Sequence, residues 1–461
     1  MRVNGGHGHK QWRLQLEAAV GDDAALDQVG AQLEPLTKER LELGHLAGPR
    51  RRDEPVFRWL RYKEAYSPQL VRAVLDQWGG VDGPVLDPFA GSGTSILVAL
   101  ERGISAVGVE LLPYPQWAAN TAVQARFADR SVLTQLIADG LSGRKRSTAA
   151  ARHRIAAAPA SAWALTDEVV DALLMIQRNL PDRGSGIEAD LAHLALLSSV
   201  DVVSTAVKDG TSVRHRLPVR EGRTRRPGRK GVYAGRDDVR SAFRAAAAVI
   251  LDDLPRIAGR SMGSAQVVRG DARCLPLAAA TFGGAVFSPP YPNRYDYAAI
   301  YQLELAVGGF VEDAAALRTV RKSLLRSHLE APAPDGPDFV DGAVVSVLHA
   351  VINAAETSAA DSGRTIRMLA GYFEDMAAVL GELARVLRPG APAACVVATQ
   401  TYFGVAVPTD VLLASLAQRV GLEVEGLWVL RRKRVAVQQR ARGPVGSVGG
   451  RESVLLLRRS S

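Results

Sequence analysis

Two hydrophobic periods alternate along this chain. Short apolar runs bounded by glycine, proline or an acid read as buried strands, and apolar residues returning every three to four positions read as the helices that cover them. From residue 62, YKEAYSPQLVRAVLDQW predicts a loop and then a helix opening on Ser67 and Pro68, since a proline in the first turn has no helical N–H to lose. GPVLDPF, the glycine turn AGSGT, SILVALERG and SAVGVE then spell strand, turn, helix and strand, one βαβ unit. Strand text returns in AQVVRGD and GAVFSPPY. It returns again near the C-terminus, where YFEDMAAVLGELARVLRPG, APAACVVATQ, DVLLASLAQRVGLEVEGLWVLRR and ESVLLLRR alternate helix and strand.

Units of this kind predict one doubly wound α/β sheet interrupted by two mainly helical insertions. The expected organisation is a helical N-terminal extension (1–54), a first part of the core (55–124), a helical and basic insertion (125–261), a second part of the core (262–310), a second insertion (311–365) and a C-terminal part (366–461).

Composition narrows the class. Hydrophobic residues make up 47% of 461 and charged residues 23%, a globular balance with no apolar run long enough to span a bilayer. The first twenty residues lack the apolar stretch of a secretory signal, which places the expected protein in the cytoplasm, away from membranes. Cys274 and Cys395 both fall in apolar text and read as buried structural thiols, too few for a metal cluster. His7 and His9 lie in a glycine-rich end, so no metal is expected. The net charge of +9 points towards a polyanion only where the charge is clustered.

The glycine turn carries the first chemistry. In VLDPFAGSGT a buried strand delivers Asp87 to its carboxyl end, and Gly91 and Gly93 let a ligand approach the backbone beside a helix N-terminus. Glu110 ends the next strand 19 positions after Gly91, the separation at which an acid reaches ribose hydroxyls. A bare G-x-G turn is also a packing device or a dinucleotide site. An acid at Asp87, followed by Pro88 and Phe89, would repel a pyrophosphate and suits a cationic amine with a flat base. S-adenosylmethionine has both features. Asp271, ending a further strand, is a candidate partner for the adenine amino group.

DPFAGSGT, GVE, RGDA and SPPY, in this order, resemble the exocyclic amino-methyltransferases of DNA, the N4-cytosine and N6-adenine enzymes, and YKEAYSPQLV resembles their upstream cofactor-side segment. The resemblance covers roughly 55–124, 262–310 and 366–461. It implies a Rossmann-like methyltransferase sheet and a site-specific enzyme. It further implies that Asp87, Pro88, Phe89, Gly91, Ser92, Gly93, Thr94, Glu110, Asp271 and Ala272 hold S-adenosylmethionine, and that Ser288, Pro289, Pro290 and Tyr291 are catalytic. It departs from the usual arrangement in one respect: the longest insertion lies between the Glu110 strand and the Asp271 strand.

The chemistry explains why a core strand should stop at two prolines. The lone pair of a base amine is delocalised into the ring, and acceptors at Ser288 Oγ and the Pro289 carbonyl would draw the nitrogen towards tetrahedral geometry. The prolines turn that carbonyl out of the sheet, and Tyr291 offers a face for a base swung out of its stack. Tyr295 and Tyr297 are further candidates for this pocket, or loop-packing aromatics. Serine at the first motif position favours N4 of cytosine; N6-adenine or RNA amine methylation are alternatives with the same chemistry. A catalytically silent nucleic-acid-binding protein is an alternative of another class, against which the full set of Asp87, Glu110, Ser288 and Tyr291 argues.

DNA is the expected partner, with a cognate restriction or defence protein as a second. Between Arg214 and Arg240 stand ten Lys or Arg residues and three acids. Gly222, Pro227, Gly228 and Gly231 among them predict an irregular, phosphate-binding loop. Its candidate contacts are Arg214, Arg216, Arg220, Arg223, Arg225, Arg226, Arg229 and Lys230. Arg318, Arg321, Lys322 and Arg326 form a second candidate strip, alternatively a solvated helix face.

Overall fold

The computed structural model describes residues 16, 19–46, 54–60, 62, 65–145, 147–209, 212–215, 234–259, 263–332, 341–355, 362–432 and 450–461. Eight strands form its main sheet: β1 (Thr37–Glu39), β2 (Val85–Asp87), β3 (Ala106–Glu110), β4 (Ala265–Arg269), β5 (Gly284–Phe287), β6 (Pro392–Ala398), β7 (Leu422–Arg432) and β8 (Arg451–Arg459). Their order across the sheet is β1-β7-β8-β6-β5-β2-β3-β4. Every neighbouring pair is parallel except those of β8, which runs antiparallel to both β7 and β6. This is the expected doubly wound, Rossmann-like sheet.

The strand text dictates the two faces. Side chains alternate across a pleated strand, so in β6 Ala394 and Val396 enter one core while Ala393, Cys395 and Val397 enter the other. Val286 and the Ala285–Phe287 pair divide in the same way. Helices Pro68–Trp78, Thr94–Glu101 and Pro113–Gln124 cover the first face, together with insertion helices such as Asp167–Asn179 and Ile187–Val203. Helices Asp23–Leu33, Gly342–Ala355, Ser362–Val386 and Thr409–Arg419 cover the second. The helix Gly342–Ala355, within the expected second insertion, is thus part of a core layer. No helix among the described residues is long and apolar enough to cross a membrane.

Three expectations are corrected here. The extension before residue 55 is not only helical, since Thr37–Glu39 pairs in parallel with Leu427–Val429 and joins the sheet; three residues are too few to display a period. Cys395 is buried, but Cys274 is exposed because it stands in a turn bridged to Asp271. The stretch Arg214–Arg240 is not irregular at its ends: Arg214 belongs to the strand Ser212–His215, paired with Ala206–Asp209, and Arg236 opens the helix Arg236–Ile257.

The chain runs outward from β2 to β3 and β4, then jumps back to lay β5 on the other side of β2. Between β2 and β5, therefore, the direction of winding reverses. A crevice opens beyond the carboxyl ends of the strands at such a point.

Candidate functional site

A cleft opens at that position. Segments following four strands build its wall: Pro88–Ser92 and Thr94 after β2, Glu110–Leu112 at the end of β3, Gly270–Ala272 after β4, and Ser288–Tyr291 after β5.

On the β2–β3 side the turn is tight. Gly91 has φ +50°, and a Cβ there would come within 3.0 Å of the Tyr62 ring. Glu110 is 9% exposed and accepts the Gly91 N–H at 2.9 Å and the Leu112 N–H at 2.8 Å. Burial pushes its carboxyl up to about 7, against the pull of those two N–H groups. A carboxylate has about four lone-pair directions, so two remain for hydroxyls in the cleft. Asp271 also lines the cleft, but Arg273 holds it through its backbone N–H at 2.9 Å and its guanidinium at 2.7 Å.

Asp87 does not line the cleft. It is 1% exposed, behind the wall, where it accepts the Phe89 N–H at 2.9 Å and the Tyr66 hydroxyl at 3.0 Å, while Tyr66 is also bonded to Ser95 Oγ. Burial pushes its carboxyl up to about 6. The expected direct contact between Asp87 and a ligand amine is therefore corrected: Asp87 fixes the turn and orients Tyr66, which does line the cleft. Gly93 is likewise a backbone residue, at φ +77° and packed on Ala119, and opens the following helix.

On the β5 side Pro289 is buried, and Ser288, Pro290 and Tyr291 are half-buried. The Ser288 hydroxyl donates its proton to the Val396 carbonyl on β6 at 3.0 Å. Its oxygen therefore faces the cleft as an acceptor only. The loop beyond is clamped: Tyr402 donates to the Pro292 carbonyl, and Arg294, at φ +71°, sets its guanidinium 5.2 Å from the Tyr402 ring and donates to Thr365 Oγ1 at 2.9 Å. Bulky residues with positive φ are uncommon and cluster at functional sites.

Sequence reasoning passed over several wall residues. Tyr62 stacks on Tyr301 at 5.2 Å and on Tyr297 at 6.0 Å, and Tyr62, Tyr66, Asn293, Leu324, Leu325 and Ser327 all line the cleft. Of the two tyrosines considered, Tyr297 is on the wall, whereas Tyr295 packs in the core.

Among the basic residues, Arg214 is described and exposed. Arg216, Arg220, Arg223, Arg225, Arg226, Arg229 and Lys230 lie outside the described residues, as do His7 and His9. The second strip is corrected in part. Arg326 is tied to Asp375 at 2.7 Å and Glu374 at 3.0 Å, and Arg321 pairs with buried Asp296, so both are internal ties; Arg318 and Lys322 are exposed. No group of three or more His, Cys, Asp or Glu that could hold a metal ion occurs among the described residues.

Two curated methyltransferases are similar to this chain in sequence. The type II methyltransferase M.BsoBI of Geobacillus stearothermophilus is 24% identical over 455 residues, covering 88% of this chain and 86% of that protein. M.AvaI, a type II methyltransferase of Nostoc sp., is 27% identical over 405 residues, covering 82% of this chain and 81% of its own length. Along most of its length the chain is similar to type II methyltransferases. No protein-family model matches it. The rRNA methyltransferase aviRa from Streptomyces viridochromogenes aligns over 91% of this chain and 94% of its own at 12% identity, with a TM-score of 0.30, too low to bear on function.

Proposed function

We propose that this protein is a site-specific DNA methyltransferase that moves a methyl group from S-adenosylmethionine to an exocyclic base amine, N4 of cytosine. The observation that carries the reading is Ser288: its proton is committed to Val396, so its oxygen can only accept, in the same cleft as Glu110 and the Gly91 turn. The two type II methyltransferase relatives support methyl transfer, and their class supports DNA as the substrate and a restriction enzyme as a cognate partner.

When bound, S-adenosylmethionine supplies an electrophilic methyl on a sulfonium. The residues fit it. Glu110 has two lone-pair directions left for ribose hydroxyls, Gly91 leaves room for close approach, and Phe89, Leu111 and Leu112 offer apolar surface for a purine. Asp271 keeps accepting capacity beside its Arg273 partner for the adenine amino group. The Tyr62–Tyr66 segment closes the remaining side.

Ser288 Oγ and the Pro289 carbonyl accept the two N–H bonds of the target amine, which turns its lone pair out of the ring plane. With the methyl supplied by the bound cofactor, Ser288 Oγ and the Pro289 carbonyl would hold the amine as its nitrogen becomes tetrahedral, and its extra proton would leave past these acceptors to water. Holding the amine in place in this way would supply much of the rate. Tyr291 holds the extruded base by its face, and the basic stretch from Arg214 to Lys230 contacts phosphates.

Nucleoside mass spectrometry of DNA from cells with and without the gene tests the proposal. N4-methylcytosine present only with the gene is the expected result; no methylated base in either would overturn it.

A further inference from the structure

Two polar side chains in the cleft have no part in the chemistry above. Ser327 lines the cleft and is 2% exposed, yet its Oγ has no hydrogen-bond partner among the described residues. Asn293, two residues past Tyr291, gives its Oδ1 to the Tyr295 N–H at 3.1 Å, which turns its NH₂ end the other way; that end has no acceptor among the described residues. Both are therefore free to donate. Ser327 is buried as a residue but its hydroxyl is not among the sealed, unsatisfied atoms, so Ser327 Oγ and the Asn293 NH₂ stand at the cleft wall with hydrogen-bonding capacity that a ligand can take up.

The backbone holds these donors together. The Arg294 N–H donates to the Ser327 carbonyl at 3.0 Å, splicing the segment after β5 to the 324–327 segment. Just before Ser327, Arg326 is fixed by its own N–H to Asp375 at 2.8 Å and by its guanidinium to the same carboxylate at 2.7 Å. Leu324 and Leu325 make the adjoining wall apolar.

We infer that Ser327 and Asn293 read the ring edge of the target base, and that two donors beside the amine acceptors select cytosine. This rests on the function proposed above. Beside its amine, cytosine presents two acceptors in a row, N3 and O2. The same edge of adenine presents N1 and then a C–H, which has nothing to offer a second donor. With Ser288 and Pro289 accepting from N4, Ser327 donates to N3 and Asn293 to O2. A site built to hydrogen-bond a substrate rejects one that leaves its buried polar groups unpaired.

The test uses the full chain, tritiated S-adenosylmethionine and DNA from a methylation-free host, with products resolved as nucleosides and cofactor affinity measured by calorimetry. Ser327→Ala and Asn293→Ala should each lower kcat/KM for N4-methylcytosine formation by roughly ten- to a hundredfold, with cofactor affinity unchanged. Ser327→Thr, which keeps a hydroxyl, should recover most of the loss, a rescue that a purely structural role would not give. Both Ala variants working at the wild-type rate would overturn the inference and leave the proposed function intact. So would a loss matched by an equal loss of cofactor affinity, whereas N6-methyladenine as the wild-type product would overturn both the inference and the choice of N4 of cytosine in the proposed function. No methyl transfer to DNA by the wild-type protein would overturn both.

Discussion

Cofactor binding should depend on pH through Glu110. Its carboxyl, ordinarily near 4.5, is pushed by burial up to about 7. Ribose hydroxyls donating to it stabilise the charged form and draw it back down, so binding must ionise the group wherever it was protonated. With the free-state value about 7, roughly one molecule in ten is ionised at pH 6 and nine in ten at pH 8. Affinity should therefore fall about tenfold from pH 8 to pH 6, or about 1.4 kcal/mol.

The same raised value fixes the stability of the empty protein. A carboxyl raised on folding contributes stability that is full below 4.5 and is lost as pH rises through about 7, so the free protein should weaken over that window while the cofactor complex does not. Titration calorimetry at pH 6, 7 and 8, in buffers of different ionisation enthalpy, reads both the affinity and the proton released. Glu110→Gln should bind more weakly throughout and lose the Glu110-dependent part of the slope. It also points an NH₂ group at either the Gly91 or the Leu112 N–H, at a cost of about 1–3 kcal/mol for the unpaired donor. A wild-type affinity that is flat from pH 6 to 8, or a slope fully retained in Glu110→Gln, would refute the assignment.

Other outcomes follow from the same geometry. Ser288→Ala should slow single-turnover methyl transfer while DNA and cofactor affinity stay near normal, because its acceptor matters most as the amine pyramidalises. Tyr291→Ala should lose about 1–3 kcal/mol of base stacking and Tyr291→Phe less, read as DNA affinity with extrusion followed by a fluorescent base analogue. Neutralising Arg223, Arg225 and Arg226 should weaken DNA binding regardless of sequence and flatten the plot of affinity against salt; an unmoved slope would make the stretch a solvated surface. Asp253, fully buried, accepts from the Val56 N–H at 3.2 Å, the Arg58 guanidinium at 2.6 Å and the Trp59 indole at 2.8 Å. Asp253→Ala should cost about 3–5 kcal/mol in urea unfolding, with Asp253→Asn milder, because the donors would be left buried and unpaired.

The strands carrying chemistry were legible because their signals are local. A strand, its glycine turn and the acid 19 positions on lie close in sequence, and a core strand halted by SPPY announces itself. What local text cannot report is the side of a turn on which a residue falls. Asp87 sits at the predicted strand end, yet its carboxylate is spent on Phe89 and Tyr66 behind the wall. Long-range pairing is equally hidden. Arg326 reads as surface charge until Asp375, 49 positions away, is seen to hold it, and Asp253 reaches Val56 across 197 positions. Ser327 and Asn293 carry no motif. Their interest comes from the Ser327 hydroxyl and the Asn293 NH₂ standing at the cleft wall, which only the folded neighbourhood reveals.

The short strand β1 has a bearing on how this protein keeps apart from its own copies. It covers Leu427–Val429 of β7 with three residues, two of them charged, and Glu39 pairs with Arg432. A brief, charged border strand is a poor template for another chain, whereas a long apolar one is a good template. Without β1 the 11-residue β7 would be uncovered, with Leu427, Trp428, Val429 and Leu430 beside its unpaired N–H and C=O groups. β1 thus denies a second copy of this chain an edge on which to pair.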